Sequence, residues 1–195
     1  PFAGYGSWFG RWIFSENPEP YNSFGNGSAM RVSSIGWLFD DEEMVLQKAS
    51  ESAQITHNHE EGIIGAQAIA LGVYLARKGS TKDQIKKKLE STFGYSLGRT
   101  LKNIRPKYYF DETCQGSVPE AIIAFLESED FEDAIRNAIS LGGDADTQAC
   151  ISGALAEAHY QSIPKQIKEF VVRRITPEML MVLNDFQQRV SITLN

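Results

Sequence analysis

From Asp41 onward the apolar positions recur at helical spacing, through Met44, Leu46, Ala49 and Ala53. Between Glu60 and Lys78 the residues Ile63, Ile64, Ala66, Ile69, Ala70, Val73, Tyr74 and Ala76 leave no broad polar face. That pattern predicts a central, mostly buried helix ended by Gly79. Ser80, Thr81 and Asp83 then offer a cap for a Lys-rich helix to about Thr92. Ser117-Val118-Pro119-Glu120 reads as a helix start: serine to cap, proline for the first turn, and glutamate to complete a capping box. Asp130 opens the next helix, with Ile135 and Ile139 on one face, and Gly142 and Gly143 stop it. A further helix begins within Asp144–Thr147 and runs to Tyr160, and Pro164 and Pro177 mark two more starts. No alternating run of useful length predicts a strand, so the expected fold class is all-α.

The first forty residues are of another kind. All three tryptophans lie there, among many glycines and aromatic residues: Phe2, Tyr5, Trp8, Phe9, Trp12, Phe14, Tyr21, Phe24 and Trp37. Ser15–Pro20 is a loop by its prolines, and Tyr21–Ser28 by its glycines. At 195 residues, with 42% hydrophobic and 23% charged positions, the chain can bury a sizeable core and is expected to form one domain, residues 1–195. Its net charge of −6 argues against direct binding to nucleic acid or an anionic membrane. The longest apolar segment, Gly62–Ala76, is interrupted by Gln67 and is too short to span a bilayer. Cys114 and Cys150 cannot build a disulfide framework and read as reduced, small buried hydrophobes, which places the chain in the cytoplasm. Between Thr81 and Lys107 eight basic residues face two acidic ones, a local +6 that leaves −12 on the remainder. This stretch is either a solvated helix face or a basic rim that steers an anionic substrate.

Three clusters carry candidate chemistry. In Gly142-Gly143-Asp144-Ala145-Asp146-Thr147, two carboxylates and a hydroxyl meet at a helix start. There the first aspartate is still free to turn inward, and close carboxylates repel unless protonated or bridged by a cation. Hard oxygen donors without sulfur suit Mg²⁺ or Mn²⁺. Plain helix capping is the competing explanation, since aspartate and threonine both favour that position. In Ser23-Phe24-Gly25-Asn26-Gly27-Ser28-Ala29-Met30-Arg31, glycines let successive amides point into one anion-binding concavity, helped by a helix from Ala29 and by the Arg31 charge. A tight structural turn has the same composition, and the segment matches neither a P-loop nor the dinucleotide fingerprint. In Thr56-His57-Asn58-His59-Glu60, a zinc site cannot be assembled, because the only other histidine is His159. A histidine that contacts a ligand, or a polar cap for the buried helix, remains.

Together these pieces resemble the ADP-ribosylglycohydrolase family. The matching text is Ser23-Phe24-Gly25-Asn26-Gly27-Ser28-Ala29-Met30-Arg31-Val32, Thr56-His57, and Gly142-Gly143-Asp144-Ala145-Asp146-Thr147 before the small-residue helix Ile151-Ser152-Gly153-Ala154-Leu155-Ala156. Ala3-Gly4-Tyr5-Gly6 and Thr113–Glu120 add to it. The resemblance implies a compact orthogonal multi-helix fold with a pair of Mg²⁺ (or Mn²⁺) ions, and hydrolysis of the bond joining ADP-ribose to a protein or other acceptor. Asp144, Asp146 and Thr147 would be metal ligands. Ser23, Phe24, Gly25, Asn26, Gly27, Ser28, Ala29 and Met30 would hold the diphosphate, with His57 beside the nucleotide. The family's opening Gly-Asp segment and its Thr-Asp-Asp-Thr motif do not occur here. The catalytic acid is therefore expected in a segment preceding Pro1. A non-catalytic ADP-ribose-binding module or a structural, crystallin-like relative is the alternative.

Overall fold

The computed structural model describes residues 5–193, with side chains described for 5–190, so Phe2 and the Ala3-Gly4 pair lie outside the described residues. Within that range the chain is helical, and no strand forms among the described residues. The helices are α1 (Ser7–Ile13), α2 (Gly27–Met30), α3 (Ser33–Leu38), α4 (Glu42–Gln54), α5 (Glu60–Arg77), α6 (Lys82–Phe93), α7 (Leu101–Ile104), α8 (Cys114–Leu126), α9 (Phe131–Ser140), α10 (Ala145–Tyr160), α11 (Lys165–Val172) and α12 (Pro177–Thr193). The all-α expectation holds.

Helix α5 is the axis of the fold. It packs against α2, α3, α4, α6, α8 and α10, which is why apolar residues occur all round it. Small residues set how near those neighbours come. A Cβ on Gly65 would lie 2.5 Å from the Cys114 Sγ of α8, and one on Gly62 would lie 2.6 Å from the Ser23 carbonyl of the glycine-rich loop. From the other side, a Cβ on Gly36 of α3 would stand 2.6 Å from the Ala70 carbonyl and 2.7 Å from the Val73 Cβ. The glycines of α5 thus bring the candidate loop and α8 into direct contact with its backbone.

The helix boundaries follow local chemistry. Asp41 caps α4 by accepting from the Met44 N–H at 2.8 Å, Asp130 caps α9 through Asp133, and Thr81 with Gln84 forms a capping box on α6. Gly79, Gly94, Gly142 and Gly143 all take positive φ beyond helix ends.

Two expectations are corrected, the start of α8 and the burial of Cys150, and the buried faces of α9 and α4 are resolved in detail. Helix α8 starts at Cys114, capped by Thr113, so Pro119 lies inside it and Ser117 donates to the Thr113 carbonyl instead of capping. The cause is a short antiparallel bridge at Gly25 and Thr113, where Asn26 N–H donates to Glu112 O and Cys114 N–H to Phe24 O. That bridge fixes Thr113 in extended backbone, so the chain turns into the helix directly after it. On α9 the buried stripe is Phe131, Ala134 and Ala138; Ile135 is half-buried and Ile139 is exposed. On α4 the buried stripe is Val45, Ala49 and Ala53, while Met44 faces outward. Cys114 is buried but Cys150 is exposed, and both are free thiols.

The basic stretch is used partly for tying helices together. Lys88 pairs with Glu42 at 2.7 Å, Arg99 with Glu120 at 2.6 Å, and Arg105 donates to Ser140. Lys82 donates to the Ser128 carbonyl and to the Tyr160 hydroxyl.

Two outcomes follow from this packing. Gly36→Ala should lower unfolding stability by about 1–3 kcal/mol, the usual cost of overpacking a core contact. Gly98→Ala, where a Cβ meets nothing within 4 Å, should change it by less than about 0.5 kcal/mol. Denaturant unfolding of both variants checks the pair. Burial pushes the Cys114 thiol up to about 11. Burial and the Asp146 charge raise the Cys150 thiol as well, but only Cys150 is exposed, so one thiol per chain should react with a disulfide reagent at pH 8 in the native state, and two after unfolding.

Candidate functional site

The glycine-rich loop is shorter than its composition suggests, because α2 opens at Gly27, two residues before the expected Ala29. The loop is strapped on two sides. Ser23 N–H donates to the Thr56 carbonyl, and Asn26 N–H to the Glu112 carbonyl. Ser23 Oγ accepts from the Gly25 N–H at 3.2 Å, and Ser28 Oγ donates to the Gly62 carbonyl at 2.7 Å. Cys114 Sγ lies against the Gly25 carbonyl at 3.1 Å. Phe24 is 45% exposed and meets the edge of His59.

Asn26 holds the N-cap position of α2 but does not cap it. Its buried amide reaches across to two other helices, donating to Asp144 Oδ2 at 2.7 Å and to Ser117 Oγ at 3.1 Å. Asp144 likewise holds the N-cap position of α10 and makes no capping bond. The loop and the Gly-Gly-Asp turn, more than a hundred residues apart in sequence, are thus joined through two side chains. Thr147 is buried and donates its hydroxyl hydrogen to the Met30 Sδ at 3.4 Å, which leaves its oxygen lone pairs free. Asp146 is exposed, and its Oδ1 accepts from the Thr147 N–H of its own turn at 2.9 Å.

Two of the three acidic-turn side chains therefore face the loop, and the third is engaged with a backbone amide. Among the described residues no group of three or more His, Cys, Asp or Glu side chains is arranged to hold a metal ion. The oxygen donors the turn itself offers are two carboxylates and one hydroxyl, a set that fits a hard divalent cation in kind.

Tyr108, which nothing in the sequence marks, supports the turn from behind. Its hydroxyl donates to the Gly116 carbonyl at 3.0 Å and accepts from Gln148 Nε2 at 2.7 Å. A Cβ on Gly143 would lie 2.6 Å from the Tyr108 ring, and Gly143 also takes φ +65°. Burial, followed by the charges of Glu120, Asp111 and Asp144, holds the Tyr108 phenol above its ordinary range, so it stays a neutral donor.

His57 is 8% exposed. Its Nε2 sits beside the loop, 3.4 Å from where a Gly27 Cβ would stand and 3.7 Å from a Gly25 Cβ. Its Nδ1 is 2.7 Å from Thr56 Oγ1. Burial, reinforced by Arg31, pulls its pKa down to about 4. Arg31 does not point at the loop; it donates to the Ser52 carbonyl and to Thr56 Oγ1. His59 caps α5 by accepting from the Glu61 N–H. The structure thus brings Asn26, Met30, Asp144 and Thr147 together and sets His57 against Gly25 and Gly27. Ser23 serves the loop's internal bonding, Ser28 ties it to the Gly62 carbonyl of α5, and Ala29 is buried in the core.

Tyr108→Phe deletes two hydrogen bonds and strands the fully buried Gln148 amide. It should destabilise the fold by about 1–3 kcal/mol, read as a lower denaturant midpoint at unchanged slope.

The chain has relatives in sequence and fold. The ADP-ribosylglycohydrolase family model matches residues 3–189. ADP-ribosylhydrolase ARH3 of Gallus gallus is 32% identical over 183 residues, covering 71% of this chain and 50% of the relative. The Homo sapiens ARH3 is 31% identical over 183 residues, with the same coverage. ADP-ribosylarginine hydrolase Tri1 of Pseudomonas putida is 26% identical over 155 residues, covering 74% of this chain and 40% of the relative. A solved structure described as an ADP-ribosylglycohydrolase-related protein complex superposes with a TM-score of 0.67 at 22% identity, covering 93% of this chain and 64% of that one, and supports the fold. The chain spans about half the length of the ARH3 relatives it matches. With the family model matched over nearly its whole length, this chain belongs to the ADP-ribosylglycohydrolase family.

Proposed function

We propose that the chain carries the diphosphate-binding loop and one part of the metal site of a Mg²⁺-dependent hydrolase that removes ADP-ribose from a modified protein or other acceptor. The observation that carries the reading is the Asn26 amide on the Asp144 carboxylate, 2.7 Å apart, which joins the loop to the acidic turn. Asp144, Asp146 and Thr147 would hold the cation (Mg²⁺ or Mn²⁺, two ions in the complete site). When bound, the ions would polarise ribose hydroxyls and water and offset developing charge.

The protein's own part is positional. Ser23 to Met30 would receive the diphosphate, with Gly25 and Gly27 admitting its oxygens close to the backbone. Binding energy at that remote group would orient the sugar. Asn26 engages one oxygen of Asp144, and the other would serve the cation. Phe24, exposed at the loop's rim, is available to an aromatic base. The acid–base carboxylate that glycoside cleavage requires would come from a segment outside this chain, which itself spans half of the ARH3 relatives. The free thiols agree with a reducing, cytoplasmic setting. No helix among the described residues is long and apolar enough to cross a membrane.

A second reading, binding of ADP-ribose without turnover, draws on the lack of a three-ligand His/Cys/Asp/Glu cluster among the described residues. Hydrolysis assays on ADP-ribosylated protein separate the two, and Mn²⁺ binding followed by electron paramagnetic resonance tests the metal assignment. Asp144→Ala and Asp146→Ala should each weaken Mn²⁺ affinity at least about tenfold, since ligand loss exceeds the 10–100-fold range of outer-shell changes only upward. Unchanged affinity in both would refute the metal assignment and leave the turn with the structural role of anchoring Asn26.

A further inference from the structure

The Thr56 hydroxyl is a meeting point whose donors and acceptors can be counted. Arg31 Nη2 donates to Thr56 Oγ1 at 3.1 Å, and a guanidinium cannot accept, so one oxygen lone pair is committed. The Tyr21 hydroxyl, neutral and so able to donate, is a further hydrogen-bond partner of the Thr56 side chain and can take the second lone pair, which turns the Thr56 hydrogen toward His57. Arg31 is itself anchored by the Ser52 carbonyl at 2.9 Å, so this donor is fixed in place. His57 Nδ1 lies 2.7 Å from the same oxygen, well within reach of the hydroxyl hydrogen. On the far side of the ring, Nε2 faces Gly25 and Gly27, lying 3.7 and 3.4 Å from where their Cβ atoms would stand.

We infer that Thr56, oriented by Arg31, donates to His57 Nδ1 and so holds the imidazole as the neutral Nε2–H tautomer, with that N–H aimed at the glycine-rich loop. The part concerning the ligand rests on the reading of the loop as a diphosphate site; the tautomer does not. A diphosphate offers only acceptors, so a fixed N–H matches it, whereas a bare ring nitrogen would repel it. Arg31 and Thr56 are positioning residues, acting through His57. The titratable groups facing the ring are the Arg31 guanidinium and the Tyr21 phenol, the latter 6.3 Å away ring to ring. The phenol is held neutral by burial, so Arg31 is the charge beside the ring, and it opposes protonation.

The sign of the pH effect follows. The unfolded histidine takes up a proton near 6.5, while the folded one resists down to about 4. In that window the unfolded state binds more protons, so this group's contribution is complete above 6.5 and is lost as pH falls toward 4.

The test is long-range ¹H–¹⁵N spectroscopy on the whole chain with ¹⁵N-labelled histidine, His57 being assigned by its loss in His57→Gln. At pH 7 the expected pattern is a pyridine-type Nδ1 and a pyrrole-type Nε2, persisting at pH 5.5. Thr56→Val should mix the tautomers, Thr56→Ser should restore the pattern, and Arg31→Gln should move the titration toward neutral pH. A pyrrole-type Nδ1, or an imidazolium at pH 5.5, overturns the inference from the wild-type spectrum alone. Added inorganic pyrophosphate should shift Nε2 together with the backbone amides of Gly25 to Ser28. Loop amides that move while Nε2 stays put refute the donor role. Loop amides that do not move, with the tautomer as stated, refute the diphosphate reading of the loop and leave the Thr56–His57 assignment standing.

Discussion

The side-chain amide of Asn26 is the tie on which the site depends. It is 6% exposed and spends both hydrogens on other helices, one on the Ser117 hydroxyl of α8 and one on the Asp144 carboxylate that begins α10. A carboxylate at a helix start would ordinarily cap its own helix. Here it gives up that bond for one to the loop, a charge-assisted contact of about 1.5–3 kcal/mol. The bond would be wasted if the turn existed only to start a helix. It makes sense if the first oxygen of Asp144 must be held while the second remains available.

The rest of the fold can be seen as the support of that tie. Helix α5 admits the loop at Gly62 and α8 at Gly65, because a methyl group at either place would overlap Ser23 or Cys114. The bridge between Gly25 and Thr113 sets the depth of the loop, and the Tyr108 phenol wedged against Gly143 sets the turn. Each contact joins segments distant in sequence, so no single helix carries the site by itself. Packing around one buried helix brings the loop and the acidic turn against each other.

Much of this was legible in the residues, for identifiable reasons. The all-round apolar character of α5, the Thr81 cap of α6 and the paired glycines before α10 are local signals, and each landed where its chemistry requires. The start of α8 was not legible, because the bridge to Gly25 overrode an otherwise sound Ser-x-x-Glu signal at Ser117. The apolar positions on α9 showed a face but not its depth: Ala134 and Ala138 are buried and Ile135 packs on Gly153 of α10, while Ile139 is exposed. Of the site, the Gly-Gly-Asp turn and the glycine-rich loop could be named from composition. Their junction could not, since Asn26 looks like an ordinary turn residue and Tyr108 like one more loop aromatic. Arg31 had its charge recognised but not its direction, which is toward Thr56 and away from the loop.

The central claim is that loop and turn form a single site for ADP-ribose and a divalent cation. Calorimetric titration of ADP-ribose onto the chain, in Mg²⁺ and again in excess chelator, tests it most directly. The account predicts saturable one-to-one binding that is weaker at least several-fold in chelator and is lost in Asn26→Ala. Absence of binding in both buffers, or binding indifferent to both the metal and Asn26, would contradict it.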